Sequence, residues 1–158
     1  MKFEKVYYDY WQKVFRLCMG YVNDEMQAKD ITQEVFIKVL VYLPKFRNES
    51  SIGTWIFKIA SNQCLSHIYK ENKIPRTFLP STITEQPSET ETIEKQSKLL
   101  YQFISELPET ERIIISLELE DIKQDQIAEI IGISSGNVRV KIHRIKDKLT
   151  KKFKKYGY

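Results

Sequence analysis

The chain is poor in the residues on which most enzymes and secreted proteins depend. Of its 158 residues only two are His and two are Cys. His67 and His143 stand apart on helical patterns, no spacing suits a metal, and neither a Ser/His/Asp set nor a Gly-rich phosphate loop is present. An enzyme is therefore the reading with least support, and no cofactor and no metal site are expected. Cys18 and Cys64 fall in apolar helical patterns rather than a C-x-x-C, so they read as small core residues of a protein kept in a reducing compartment. Long apolar runs are missing too. No window approaches a membrane span, and the opening residues M-K-F-E-K-V-Y-Y-D-Y lack the unbroken apolar stretch of a signal peptide. The expectation is a cytoplasmic protein with no membrane insertion of its own. Glycine and proline are scarce, five of each, and strand-like alternation is nearly absent.

What the chain does have is helical periodicity and enough apolar content, 42%, for a real core. Pro75, Pro80 and Pro87 cluster in E-N-K-I-P-R-T-F-L-P-S-T-I-T-E-Q-P-S-E-T-E-T, which reads as a linker with little regular structure. The expected fold is all-α: two small helical domains, 1–72 and 92–158, joined by a flexible linker over 73–91. In the first domain the pattern predicts helices over 7–22, from a capping box at Asp24 and Gln27 to about Leu43, and from Ser50 or Ser51 to about Glu71. The second helix should bury Ala28, Ile31, Val35, Val39 and Tyr42. The third should bury Ile52, Ile56, Ile59, Ala60, Cys64 and Ile68. In the second domain, helices are predicted over 92–106 and from Pro108 to about Glu118.

The stretch 121–153 then reads as a helix-turn-helix, a device that places its second helix in the DNA major groove. Ile127, Ala128, Ile130 and Ile131 give the first helix an apolar face. Gly132 suits the left-handed residue that ends it, and Ser134 is a good N-cap for the next. Val138, Ile142, Ile145, Leu149 and Phe153 recur at steps of 4, 3, 4 and 4, one buried stripe. Gly136, Arg139, Val140, His143 and Arg144 fall on the opposite side, with Asn137 and Lys141 flanking them. Arg139 and Arg144 can fork onto guanine edges or phosphates, Asn137 can pair with adenine, and Val140 can touch a thymine methyl. An ordinary amphipathic helix with a solvated basic side would explain the charges alone. The turn glycine, the capping serine and the short helix before them weigh for DNA. Formal charge is only +4, but residues 139–158 hold nine basic residues against one acid, Asp147. Such a tail favours phosphate contact, unless residues 151–155 are merely a solvated, frayed end.

The first domain carries a different constellation. Asp30, Gln33, Glu34 and Ile37 follow at i, i+3, i+4 and i+7, with Phe36 beside them. A solvated helix face explains those charges, while a basic helical partner could dock there through charge-assisted hydrogen bonds. Further on, Phe46, Arg47 and Asn48 in a loop and Trp55, Phe57, Lys58 and Asn62 on a helix mix aromatics with cations and donors. Unstacked single-stranded bases need that combination. By periodicity alone Trp55 suits a core, and Phe46, in a polar loop, is the better stacking platform.

The order A-K-D-I-T-Q-E-V-F-I-K-V, L-P-K-F-R-N-E-S-S, T-W-I-F-K-I-A-S-N, linker, E-L-P-E-T-E-R and Q-I-A-E-I-I-G-I-S-S-G-N-V-R-V-K-I-H-R resembles the extracytoplasmic-function sigma factors of bacteria, over nearly the whole chain. The resemblance implies that the first domain docks on core RNA polymerase and opens the −10 element. The clamp helices of the beta-prime subunit would meet Asp30, Gln33, Glu34, Phe36 and Ile37. Phe46, Arg47, Asn48, Trp55, Phe57, Lys58 and Asn62 would hold single-stranded −10 bases. Ser135, Gly136, Asn137, Arg139, Val140, Lys141, His143 and Arg144 would read the −35 duplex. The implied partners are core polymerase through its clamp helices and the beta-subunit flap, promoter DNA, and an anti-sigma protein. The linker would thread toward the RNA exit path. This chain departs from the pattern in three places. Asn48 replaces a loop glycine. Lys123 stands where a serine often caps the first helix of the pair, leaving Asp121 as the cap. Asn137 and Val140 replace a threonine and a serine.

Two rivals use the same residues. A free-standing helix-turn-helix regulator would bind duplex DNA as a dimer and would not need the aromatic loop. A sigma-mimicking adaptor would dock on polymerase and read no DNA, so it would not need Arg139 and Arg144.

Overall fold

A computed structural model describes residues 2–71 and 89–158. Among them every regular element is helical: α1 (Phe3–Val22), α2 (Glu25–Tyr42), α3 (Ile52–Glu71), α4 (Glu89–Ser105), α5 (Glu109–Leu119), α6 (Gln124–Ile131) and α7 (Ser135–Lys155). A short 3-10 turn, Leu43–Lys45, closes α2. Most of the expected linker, and the side chain of Ile68, lie outside the described residues. The last three linker positions, 89–91, belong to α4.

Local chemistry explains the boundaries. Asn23 adopts the left-handed conformation at φ 49° and ends α1. The Asp24 carboxylate then accepts from the Gln27 N–H at 2.9 Å and starts α2. Pro44 cannot continue a helix, and the chain turns there. Of the two candidate serines, Ser51 caps α3, because its Oγ accepts from the Thr54 N–H at 3.2 Å and donates to Thr54 Oγ1 at 2.9 Å. Pro108 stands at the N-cap of α5. Gly132, at φ 84°, ends α6 with its N–H donating to the Ala128 carbonyl at 2.8 Å. Ser134 Oγ accepts from the Asn137 N–H and opens α7. Asp121 does not cap α6. It takes a left-handed φ of 58° in the preceding turn, and the N-terminus of α6 has no side-chain cap.

Helices α1–α3 pack on one another, as do α4–α7, and the two groups also meet, through α1 against α4 and α5 and through α3 against α6. The predicted interior of α2 holds at Ala28, Ile31, Val35 and Val39, all without exposure. Tyr42 is the exception. It is half exposed: the 3-10 turn begins at the next residue, and Tyr42 lines an open depression with Trp55 and Ile59 of α3. The stripe of α7 is as read: Val138, Ile142, Ile145 and Leu149 are buried, and Phe153 packs edge-on against Phe103 of α4 with ring centroids 5.0 Å apart.

Cys18 of α1 and Cys64 of α3 are fully buried free thiols, 3.8 Å apart between sulfurs. The hydrogen bond between them, reinforced by burial, pushes the Cys64 thiol well above its ordinary range. Since the thiolate is the reactive species, neither cysteine should react with a water-soluble disulfide reagent in the folded protein. Titration before and after adding denaturant checks this: no thiols should react before, and two after.

Candidate nucleic-acid interface and docking face

The cations of α7 divide into two groups. Lys146 pairs with Glu118 at 3.2 Å, Lys148 with Glu111 at 3.4 Å, and Lys152 with Glu106 at 2.6 Å. These three ties face α4 and α5, and Lys151 is held by Asp147 within the helix. Four of the nine basic residues in 139–158 are thus tied to the protein's own acids, Lys154 and Lys155 stay exposed, and α7 is helical to Lys155. Toward the N-terminus the picture reverses. Gly136, Asn137, Arg139, Val140, His143 and Arg144 are exposed, and Lys141 is half-buried. Among the described residues no carboxylate pairs with Arg139, Lys141, His143 or Arg144. Ser135 is less free than the others, since its Oγ donates to Asp125 of α6 at 2.9 Å and pins the turn. The first three turns of α7 therefore present unneutralised cations around an apolar contact, Val140, at 47% exposure. That is the chemistry a major groove accepts.

The second cluster surrounds Phe46. Its ring is half-buried and lies tilted on Trp55, with centroids 5.0 Å apart. Phe46 borders three depressions. One, about 570 Å³, is walled by Phe3, Leu40, Leu43, Pro44 and Asn48. A second, about 340 Å³, is formed with Tyr42, Lys45, Trp55 and Ile59. The third, about 290 Å³, is rimmed by Lys45, Arg47 and Lys58. Asn48 sits at φ 56°, a left-handed position that Asn tolerates better than most side chains and Gly better still. This explains why the loop accepts Asn where a glycine is usual. Arg47, Asn48, Lys58 and Asn62 are exposed. Phe57 is not. It has no exposed surface and meets Tyr10 of α1 edge-on, with centroids 6.3 Å apart. Its assignment to the strand-binding set is corrected here: Phe57 is core, because it sits one residue beyond Ile56 on the same inward side of α3.

The third cluster is the outer side of α2. Asp30, Gln33, Glu34 and Ile37 are exposed, and Glu34 accepts a hydrogen bond from Gln63 Nε2 of α3 at 2.5 Å. Phe36 is 3% exposed and packs against Tyr7 of α1, with centroids 5.0 Å apart. Phe36 thus supports this face from below and cannot itself touch a partner. Sequence reasoning missed Leu40 and Val41, which are 53% and 57% exposed and extend the apolar strip begun by Ile37. Their spacing of i+3 and i+4 from Ile37 is the signal that could have found them.

Known proteins share this arrangement. The Sigma-70 region 2 profile matches residues 6–74, and the Sigma-70, region 4 profile matches 97–149. RNA polymerase sigma factor SigV of Bacillus subtilis is 32% identical over 137 residues, covering 86% of this chain and 81% of that protein. The ECF RNA polymerase sigma factor SigW of the same organism is 28% identical over 161 residues, covering 92% and 85%. Among solved structures, the sigma factor RpoE of Bartonella quintana, determined in complex with the anti-sigma factor NepR, superposes with a TM-score of 0.78. That match spans 96% of each chain at 18% identity, so it speaks for the fold.

A helix-turn-helix module and a polymerase-type region 2 on one chain define the class: a sigma-70-type transcription initiation factor. Within that class the chain belongs to the extracytoplasmic-function family of RNA polymerase sigma factors, which direct promoter-specific transcription initiation.

The correction at Phe57 has a measurable consequence. Phe57→Ala should lower stability by about 3–5 kcal/mol, the usual cost of removing a buried aromatic. Urea unfolding followed by circular dichroism measures it, and a midpoint unchanged from wild type would return Phe57 to the surface.

Proposed function

We propose that residues 1–72 dock on core polymerase and capture the −10 non-template strand, that 92–158 read the −35 element as duplex, and that 73–91 tether the two. The observation that carries this reading is the split of α7. Lys146, Lys148 and Lys152 are held by Glu118, Glu111 and Glu106, while Arg139, Lys141, His143 and Arg144 remain without a carboxylate partner among the described residues. A helix kept only for solubility has no need of that division.

On α2, Asp30, Gln33 and Glu34 offer acceptors to a basic helical partner such as the beta-prime clamp helices, and Ile37, Leu40 and Val41 supply apolar contact beside them. Phe46, braced on Trp55, offers a flat surface to one extruded base, with Arg47 and Lys58 close enough for its phosphates and Asn48 and Asn62 for its polar edges. Opening a base pair costs a few kcal/mol, and stacking offsets on the order of 1–3 kcal/mol of it. Docking on polymerase makes both promoter contacts intramolecular, which raises their effective concentration. The beta-subunit flap would hold the second domain, and an anti-sigma protein would compete for these faces. The work of such a factor is physical rather than catalytic, and its place is the cytoplasm.

The direct experiment is run-off transcription with bacterial core polymerase and this chain on genomic templates. Specific transcripts are expected, and none from a folded preparation would end the reading. Phe46→Ala should reduce open-complex formation about 5- to 100-fold, the worth of one stacked base, with core binding unchanged; equal loss of both removes the base-capture role. Arg139→Ala should weaken −35 duplex binding about tenfold or more, whereas Lys148→Gln should change it less than about twofold, because that lysine already belongs to an exposed ion pair. Equal effects of the two substitutions would contradict the split.

A further inference from the structure

One apolar residue stands in the middle of the otherwise polar outer face of α7. At about 100° per residue, Gly136 and Arg144 lie about 40° to either side of Val140, and His143 and Asn137 about 60°. Arg139 and Lys141 stand farther out, about 100° away on opposite sides. Val140 is exposed at this centre, while the buried stripe of the same helix runs through Val138, Ile142 and Ile145. A single exposed apolar side chain is ordinary on a protein surface. What sets this one apart is the ring of cations and amide donors about it, together with its neighbour one turn earlier.

That neighbour, Gly136, is a glycine that the fold does not need. It lies inside α7, in helical backbone rather than in the left-handed region. A Cβ built there would meet nothing within 4 Å, and Ala is the better helix former. Neither a turn nor a close helix contact therefore calls for the missing side chain. Its absence does create a notch on the outward side, floored by bare backbone at residue 136 and walled by Val140. The step between the two residues rises about 6 Å. That admits one methyl group at carbon–carbon contacts of about 3.5–4.0 Å.

The donors around the notch have ready partners in duplex DNA. Arg139, Lys141 and Arg144 suit phosphates and guanine, and Asn137 suits adenine. Valine can neither donate nor accept, so its complement must itself be apolar. In the major groove the apolar group on a base edge is the C5 methyl, which thymine carries and cytosine lacks. Resting on the −35 reading above, we infer that Val140 and Gly136 form a C5-methyl reader: the chain selects a methylated pyrimidine at one position of the −35 element and accepts 5-methylcytosine there in place of thymine. Val140 stands where the family pattern has a serine, whose hydroxyl can bond to several bases. The valine gives up that bond for the methyl alone. Because the notch makes no hydrogen bond to the ring, it does not tell thymine's O4 from the amino group of 5-methylcytosine. Cytosine methylation within the −35 duplex thereby strengthens binding.

The test uses holoenzyme assembled from core polymerase and the full chain, on a promoter fragment recovered by run-off transcription. Each thymine of its −35 duplex, on either strand, is replaced singly by deoxyuridine, which keeps O4 and the adenine partner and lacks only the methyl. One replacement should weaken binding about fourfold, the worth of one buried methyl. At that position a G·C pair carrying 5-methylcytosine should bind about fourfold more tightly than one carrying cytosine. Val140→Ser should bind thymine and deoxyuridine alike. Gly136→Ala fills the notch, so it should lose the same discrimination without lowering the thermal midpoint followed by circular dichroism. The methyl reader is overturned by the lack of any sensitive thymine with wild-type chain, by discrimination that survives Val140→Ser, or by equal binding of cytosine and 5-methylcytosine. A lowered midpoint or retained discrimination in Gly136→Ala overturns the part given to the glycine. Scrambling the whole −35 element separates the two failures. Binding unchanged by the scramble strikes the −35 reading itself, whereas a loss on scrambling without methyl sensitivity leaves that reading standing and sinks the methyl reader alone.

Discussion

Val138, Ile142, Ile145 and Leu149 bury one side of α7 against α5 and α6, and that burial decides what the other side can do. Once the stripe is fixed, Lys146, Lys148 and Lys152 must rise beside α4 and α5, where Glu118, Glu111 and Glu106 meet them. Arg139, His143 and Arg144 must face away. The glycine turn at 132 and the serine cap at 134 set where the stripe begins. A one-residue shift there would rotate the cationic face by about 100°. The direction of the cationic face is thus set by packing first and by charge second.

The periodic parts of this architecture were legible in the chain, because helices bury residues at a regular angle. The interiors of α2 and α7, the capping residues Asp24 and Ser134, and the turn at Gly132 are all local features, and all could be read one helix at a time. The failures have a common cause. Phe36 and Phe57 are aromatic residues next to polar ones, and only the position of α1 shows that Tyr7 and Tyr10 cover them. Tyr42 follows the stripe of α2, yet the 3-10 turn begins beside it and it borders an open depression. The glutamates that bind the α7 lysines come from residues 106–118, distant in sequence and invisible to any window. Contacts between helices are where one-dimensional reading ended. The residue assignments on the α2 face and around Phe46 rest on exposure, chemistry and the family resemblance.

The same molecule must satisfy two opposed demands. Unbound, a chain carrying an exposed cationic helix and an aromatic, cation-rimmed loop would stick to any nucleic acid in its surroundings, since phosphate attraction is indifferent to sequence. Under the proposed reading, the polymerase-bound chain uses both surfaces at once.

The central claim is that the first three turns of α7 lie in the −35 groove while Phe46 lies at −10. Because Cys18 and Cys64 are buried, a Val140→Cys chain can carry a DNA-cleaving iron chelate at that one exposed thiol. In holoenzyme on a promoter, the account predicts strand cuts confined to the −35 element. Cuts centred near −10, or none above those of unlabelled protein, would contradict it.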